Sequence, residues 1–339
     1  HGTLLVNVSF DSDVTYTAWT NDEAASQYGD SSHTAANSLP KNPGYYYLTT
    51  SVTLPDSGTW HPADNTVICL NSHNIREFAF YKPAYDVITV DSGVTFSLTE
   101  CASIQGDIHC ASSAATHTVN NSGTFNFYNG RLRDTKSKAD GAAVYNTGTF
   151  NMYGGTINDN NTTARGGGVY NAGACNLYGG TITGNHSDDV GGGVAVQKNG
   201  SFEMYGGSIA GNSAATCGGG VYDNVAYVTL YGGSITGNTA GEQGGGVHAS
   251  PNHSGTELTL GGSVSITGNT LADGTDENLY LLVDTEYGAS AKISVSGLTE
   301  DADIQVVEVE GREGKDYFSG VTYETLPPEV LARITTNNG

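Results

Sequence analysis

The feature that most narrows what this chain can fold into is a repeat. From Gly123 the sequence reads GTFNFYNGRLRDTKSKADGAAVYNT, then GTFNMYGGTINDNNTTARGGGVYNA and GACNLYGGTITGNHSDDVGGGVAV. GSFEMYGGSIAGNSAATCGGGVYDN and AYVTLYGGSITGNTAGEQGGGVHAS follow, with a weaker last copy, TELTLGGSVSITGNT. Tyr128, Tyr153, Tyr178, Tyr205 and Tyr231 mark one column at steps of 25, 25, 27 and 26 residues. Val144, Val169, Val194, Val221 and Val247 mark a second at nearly the same steps. A period of that size means stacked units, none of which can bury its apolar face alone.

Within each copy the hydrophobic period is two, the period of strands and not of helices. In Phe150-Asn151-Met152-Tyr153, Phe and Met face one way and Asn and Tyr the other. Ile157 is an isolated inward residue of a second strand, and Val169-Tyr170 opens a third. The Gly pair after Tyr153 and the triplet Gly166-Gly167-Gly168 separate them, supplying backbone conformations that a side chain disfavours. Three short strands per coil of about 26 residues, stacked at ~4.8 Å, is the geometry of a parallel β-helix. The expected fold is all-β: a single-stranded right-handed parallel β-helix, or solenoid, with N- and C-terminal caps. Leucine-rich repeats need a Leu-x-x-Leu-x-Leu frame with an Asn ladder beside it, and calcium-binding nonapeptide repeats need GGxGxDxx. Neither pattern is read here.

Degenerate early coils are expected at 45–54, 66–70, 87–90 and 94–98. The chain divides into 1–42, an N-terminal cap or the tail of a preceding module; 43–290, the β-helix with its regular repeats at 123–270; and 291–339, C-terminal capping coils and linker. Pro327 to Arg333 reads as one helical turn, and Asn337-Asn338-Gly339 as a linker end.

The balance of 13 Lys+Arg against 35 Asp+Glu gives a net charge of −22, a field that disfavours nucleic acid and anionic membrane surfaces. No apolar run reaches the ~20 residues of a membrane span, so no membrane insertion is expected. No cofactor is implied, although the acid excess suits a bound calcium ion. Five cysteines without a CxxC pair argue against a zinc site. Cys101 and Cys110 could pair across a loop; buried thiols are the preferred expectation.

The frame Tyr-Gly-Gly-(Thr/Ser)-Ile-x-Gly-Asn followed by Gly-Gly-Gly-Val-Tyr resembles the β-helix repeat of large surface proteins of Gram-positive gut bacteria. It is also similar to the GGA(I/V) and FxxN repeats of chlamydial polymorphic outer-membrane proteins. The resemblance covers roughly 43–290. It implies a secreted or cell-surface location and an adhesin-like role, binding a glycan or host protein as a monomer within a larger multidomain chain. It carries over no catalytic residue. The alternatives are a carbohydrate-active enzyme and a passive spacer.

Pectin-cleaving hydrolases of this fold carry NTD, paired DD, a GHG-type histidine and RIK, and only Asp188-Asp189 occurs here. Asp134 and Asp159 occupy a slot filled by Gly184, Gly211 and Gly237 in later copies. Adjacent coils would hold their carboxyls on the order of 5 Å apart, the separation of a retaining glycosidase pair. Asp also tolerates a left-handed turn, and turn chemistry is the preferred explanation. The segments before each glycine triplet gather Lys136, Lys138, Asp140, Arg165, His186, Asp188, Asp189 and Glu242 along one edge. A solvated edge explains them best; otherwise they are where a ligand, a metal or an acid–base pair would sit. The column Tyr128, Tyr153, Tyr178, Tyr205 and Tyr231 points outward. It is either structural cover, each ring on the next, or a rigid platform for sugars or a protein. Tyr145, Tyr170 and Tyr222 form a second, broken column. Asn-x-Ser/Thr triplets such as Asn7-Val8-Ser9 and Asn185-His186-Ser187 fall at turns, with glycosylation the lesser reading.

Overall fold

Alternation sends one or two apolar side chains per strand into a shared interior, and the next coil repeats them at the same place. The computed structural model describes residues 14–55, 58–77, 85–110, 116–250, 257–281, 283–284, 289–290, 292–306 and 334–336. They form a β-solenoid. The first sheet has eleven strands, from Thr17–Trp19 to Lys292–Leu298, and the second also eleven, from Val52–Leu54 to Ile334–Thr336. A fourth side of each coil, with eight strands from Ile88–Val90 to Leu279–Leu281, carries the valine column. Successive coils pair in parallel throughout these sheets.

Between the second and fourth sides lies a sheet that the sequence does not announce. Six two-residue strands, from Lys136–Ser137 to Thr270–Leu271, pair in parallel where loops are expected. Six coils therefore have four strands and not three. Ser137, Thr162 and Ser187 face inward there and donate to carbonyls of the preceding coil's chain: Thr116, Ala139 and Ala164, each at 2.6 Å.

The interior is stratified by sheet. Phe96, Phe125 and Phe150 stack at 5.6 and 5.3 Å, and Phe202 continues their file beyond Cys175. Leu132, Ile157, Ile182, Ile209, Ile235 and Ile266 line the second side. Val144, Val169, Val194, Val221 and Val247 line the fourth, all fully buried. A side chain on Gly167 or Gly168 would fall within 2.5 to 2.6 Å of carbonyls in the next coil, so the triplets are required by close backbone approach.

An asparagine ladder does run through the solenoid, correcting the expectation that none is present. Asn160, Asn185, Asn212, Asn238, Asn269 and Asn278 are buried in one file. Each Nδ2 donates to the next Oδ1 at 2.8 to 3.0 Å. The same Oδ1 takes a backbone N–H of the preceding coil, and the second Nδ2 hydrogen goes to a backbone carbonyl. Asn185, Asn212, Asn238 and Asn269 each accept twice through Oδ1 and donate twice through Nδ2, so every polar valence of these four side-chain amides is satisfied.

At the N-terminal end, the segment expected as a cap already contributes a rung: Thr17–Trp19 pairs with Tyr46, Tyr47 and Leu48. A helix, Asn21–Tyr28, follows. Thr20 caps it by accepting from the Glu23 N–H, and Gly29, left-handed at φ 77°, stops it. Its Ala24 joins the core with Trp19. Cys69 and Cys101 form a disulfide with Cα atoms 5.9 Å apart. Both expectations for Cys101, a bridge to Cys110 and a buried thiol, give way to this pairing. Strand register explains it, because Cys69 pairs with Thr99 and Cys101 lies two residues beyond. Asn7-Val8-Ser9, residues 327–333 and residues 337–339 lie outside the described residues.

Candidate functional site

The outer face of the first sheet is the most regular surface of the protein. Its strands present three outward files, two residues apart along each strand. The first file is Thr124, Thr149, Ala174, Ser201 and Tyr227; the second is Asn126, Asn151, Asn176, Glu203 and Thr229. The third is the tyrosine column. Tyr128, Tyr153, Tyr178, Tyr205 and Tyr231 stack at 4.8, 4.9, 5.2 and 5.4 Å with interplanar angles of 9, 7, 7 and 22°.

Stacking decides what the column can offer. Ring faces are consumed by neighbouring rings, so edges and hydroxyls face solvent. Tyr178, Tyr205 and Tyr231 keep 37, 45 and 37 % of their surface exposed, nonetheless. Burial pushes the phenols of Tyr128 and Tyr153 up, and nearby phenols add to this. Tyr205 is pushed up to about 12, first by its hydrogen bond to Glu203 and then by burial. Tyr128, Tyr153 and Tyr205 therefore keep their protons at neutral pH. Beside it, Asn151 and Asn176 each donate to the preceding Asn at 2.9 and 2.8 Å, leaving amide valences to spare.

The second aromatic column is longer than the sequence suggests and is broken once. His117, Tyr145 and Tyr170 stack at 4.9 and 5.1 Å, and Tyr222, His248 and Tyr280 at 5.1 and 5.3 Å. Ala195 stands between the two groups. There, the Arg165 guanidinium lies 5.1 Å from the Tyr170 centroid. Arg165 also grips Asp140 through Nε at 3.0 Å and Nη2 at 2.7 Å, and reaches Gln197 Oε1 at 3.1 Å. These commitments explain Arg165 as a replacement for the absent ring.

No family model, curated protein or solved structure matches the chain. What its side chains can do must be judged from their geometry.

The four aspartates do not converge on one centre. Asp134 and Asp159 are left-handed at φ 56 and 57°, as Gly184, Gly211 and Gly237 are at 63 to 65°. The shared column is therefore a turn position. Asp134 is held by Arg133 of its own strand, whereas Asp159 accepts from Asn158 at 2.6 Å and leans over Gly184. On the third side, His186 bridges Ser213 through Nδ1 at 2.7 Å and Asp188 through Nε2 at 3.0 Å. The backbone carbonyl of Asp189 accepts from Thr216 N–H and Oγ1. Of the expected edge of charged residues, two pairs are tied off, Arg165 with Asp140 and His186 with Asp188. The one His/Cys/Asp/Glu group close enough to hold a metal among the described residues is Cys69, Glu100 and Cys101, and its two sulfurs are consumed by the disulfide.

Two carboxylates in the degenerate coils, the half-buried Asp86 and the buried Asp107, give no sign of themselves in the sequence. Burial opposes ionisation of Asp86, but hydrogen bonds from His117, Thr116 and Asn120 hold its carboxyl below the usual range. Asp107 is likewise opposed by burial and outweighed by His109 at 2.6 Å and Arg133 at 2.8 Å. Both knit neighbouring coils together. Apart from His109, two residues from Asp107, their partners lie about one coil away and cannot be aligned without the register.

Proposed function

We propose that the chain is a noncatalytic carbohydrate-binding segment of an extracellular bacterial protein, with the outer face of the first sheet as its binding surface. The observation that supports this most is the tyrosine column, whose rings repeat once per coil at 4.8 to 5.4 Å over five coils, with an asparagine amide beside it in the first three. An extended, equatorially linked hexopyranose chain advances by close to one such step per sugar. Lying along this face, it meets the same amide donors and acceptors at the three coils of Asn126, Asn151 and Asn176. A peptide strand places its same-face side chains roughly 6.6 Å apart and loses register within two rungs. The stack also keeps its rings rigid before binding, which limits the entropy lost on capture.

The extracellular setting is supported by the Cys69–Cys101 disulfide, by the acidic balance and by the resemblance to surface repeats. Affinity electrophoresis through linear β-glucans, xylans, mannans and N-acetylhexosamine polymers tests the binding role. Retardation by at least one polymer is expected, with affinity falling about tenfold in Tyr153→Ala/Tyr178→Ala, a loss near 1.4 kcal/mol. Equal retardation of that variant, or none of the wild type, would overturn it. Release of reducing ends from the same polymers would instead favour an enzyme.

A further inference from the structure

Two departures from the repeat stand side by side on this face. In the second file, coils one to three carry Asn126, Asn151 and Asn176, but the next carries Glu203. In the first file, Thr124, Thr149, Ala174 and Ser201 are succeeded by Tyr227. Tyr227 has 65 % of its surface exposed, more than any residue of the tyrosine column, and stacks on no other ring among the described residues. Its ring faces are the ones this surface leaves open. Nothing in the fold calls for them, since small side chains serve the same place in four earlier coils.

Position gives these residues a shared task. Tyr227 opens the strand Tyr227–Leu230 and Tyr231 follows its end, roughly 13 Å away at ~3.3 Å per residue, with Thr229 outward between them. Glu203 lies one rung below Thr229. Its Oε2 accepts from the Tyr205 hydroxyl, which fixes the carboxylate in place and leaves Oε1 without a hydrogen bond among the described residues. The result is a cradle: an open aromatic face on one side, the end of the tyrosine column on the other, and a carboxylate and a hydroxyl for a floor.

We infer that this cradle is the principal subsite for a neutral hexopyranose. Tyr227 would cover one face of the sugar, while Glu203 Oε1 accepts hydrogen bonds from its hydroxyls. The inference rests on the carbohydrate-binding role and adds a substrate class to it. A uronate or sulfated sugar would set its anion against Glu203 in a protein of net charge −22, so acidic glycans are excluded by the same residue that holds neutral ones.

The test compares variants that return the repeat's own residues, Tyr227→Thr and Glu203→Asn, with Tyr153→Ala/Tyr178→Ala. Binding to neutral polymers (β-glucan, xylan, mannan) is measured beside polygalacturonate, alginate and chondroitin sulfate, with circular dichroism confirming the fold. The wild type is expected to bind a neutral polymer and none of the acidic ones. Tyr227→Thr should weaken neutral binding about tenfold. Glu203→Asn should also weaken it and lessen the discrimination against acidic polymers. Acidic polymers binding as well as neutral ones, or unchanged neutral affinity in Tyr227→Thr, would overturn the cradle. If Tyr153→Ala/Tyr178→Ala still weakens binding in that case, the carbohydrate role survives without it. No binding of any polymer removes both.

Discussion

Asp223 and His248 lie in adjacent coils and should pull stability in opposite directions across the same pH window. Asp223 occupies the buried file that carries Asn121, Asn146 and Asn171 in earlier coils. It is 1 % exposed and accepts one hydrogen bond, from Ala226 N–H at 2.8 Å. Burial pushes its carboxyl up to about 7, from an ordinary value of 3.8. Below the ordinary value both folded and unfolded chains are protonated, and the group costs nothing. As pH rises toward 7 the unfolded chain releases its proton first, and stability falls. The full cost above pH 7 is about 4 kcal/mol, at ~1.36 kcal/mol per pH unit. His248, buried between Tyr222 and Tyr280, is pushed by burial down to about 4 from 6.5. It costs nothing above 6.5, and its cost grows to about 3 kcal/mol as pH falls through 4. Chemical unfolding of wild type, Asp223→Asn and His248→Phe, followed by circular dichroism from pH 4 to 8, separates the two. Relative to wild type, Asp223→Asn should gain stability with rising pH, and His248→Phe with falling pH. Difference curves that are flat, or that slope the other way, would refute the assignment.

Removing the middle of the asparagine ladder should be more damaging than removing a core methyl group. Asn212→Ala strips an acceptor from both Asn185 N–H and Nδ2, and a donor from the Ile182 carbonyl. At about 1–3 kcal/mol per orphaned group, a loss on the order of 4 kcal/mol in denaturant titrations is expected. Reducing the Cys69–Cys101 bridge should cost about 3–4 kcal/mol for its 32-residue separation. Hydrogen exchange should locate that loss in the upstream coils and leave 123–270 protected, because solenoid coils contact chiefly their neighbours. Asp159→Gly should raise stability by up to about 1 kcal/mol by relieving its left-handed backbone, without altering polysaccharide affinity.

How much of this was legible depends on whether a residue's partner lies at the repeat period. The tyrosine, valine and isoleucine files recur every coil, so the sequence displays them directly. The asparagine ladder recurs just as regularly in the Gly-Asn motif, but an Asn beside a turn glycine reads as turn chemistry until the stacking shows it buried. The third side was hidden for a different reason: its strands are two residues long, too short for alternation to register. Arg165 looked like an available cation because Asp140 and Gln197 lie one coil below and above it, at separations of 25 and 32 residues. Asp86, Asp107 and the disulfide sit where coil length varies, and without a fixed period their partners cannot be counted off.

From Tyr128 to Val247 the coils differ in length only at the turn between the fourth side and the first sheet, which takes the extra residues. Asn199 and Val225 both lie there, left-handed at φ 69 and 59°, and the Gln197–Gly200 turn closes through a 2.8 Å hydrogen bond. The asparagine ladder on the opposite part of the coil fixes the three-residue step from each buried isoleucine to its Asn, since an added residue there would shift an amide off its file. Variants of this repeat can therefore grow by whole coils or at this corner. Whatever is inserted at the corner emerges beside Ser201 and Tyr227, at the rim of the first sheet. New specificities can be built there without disturbing the stack beneath.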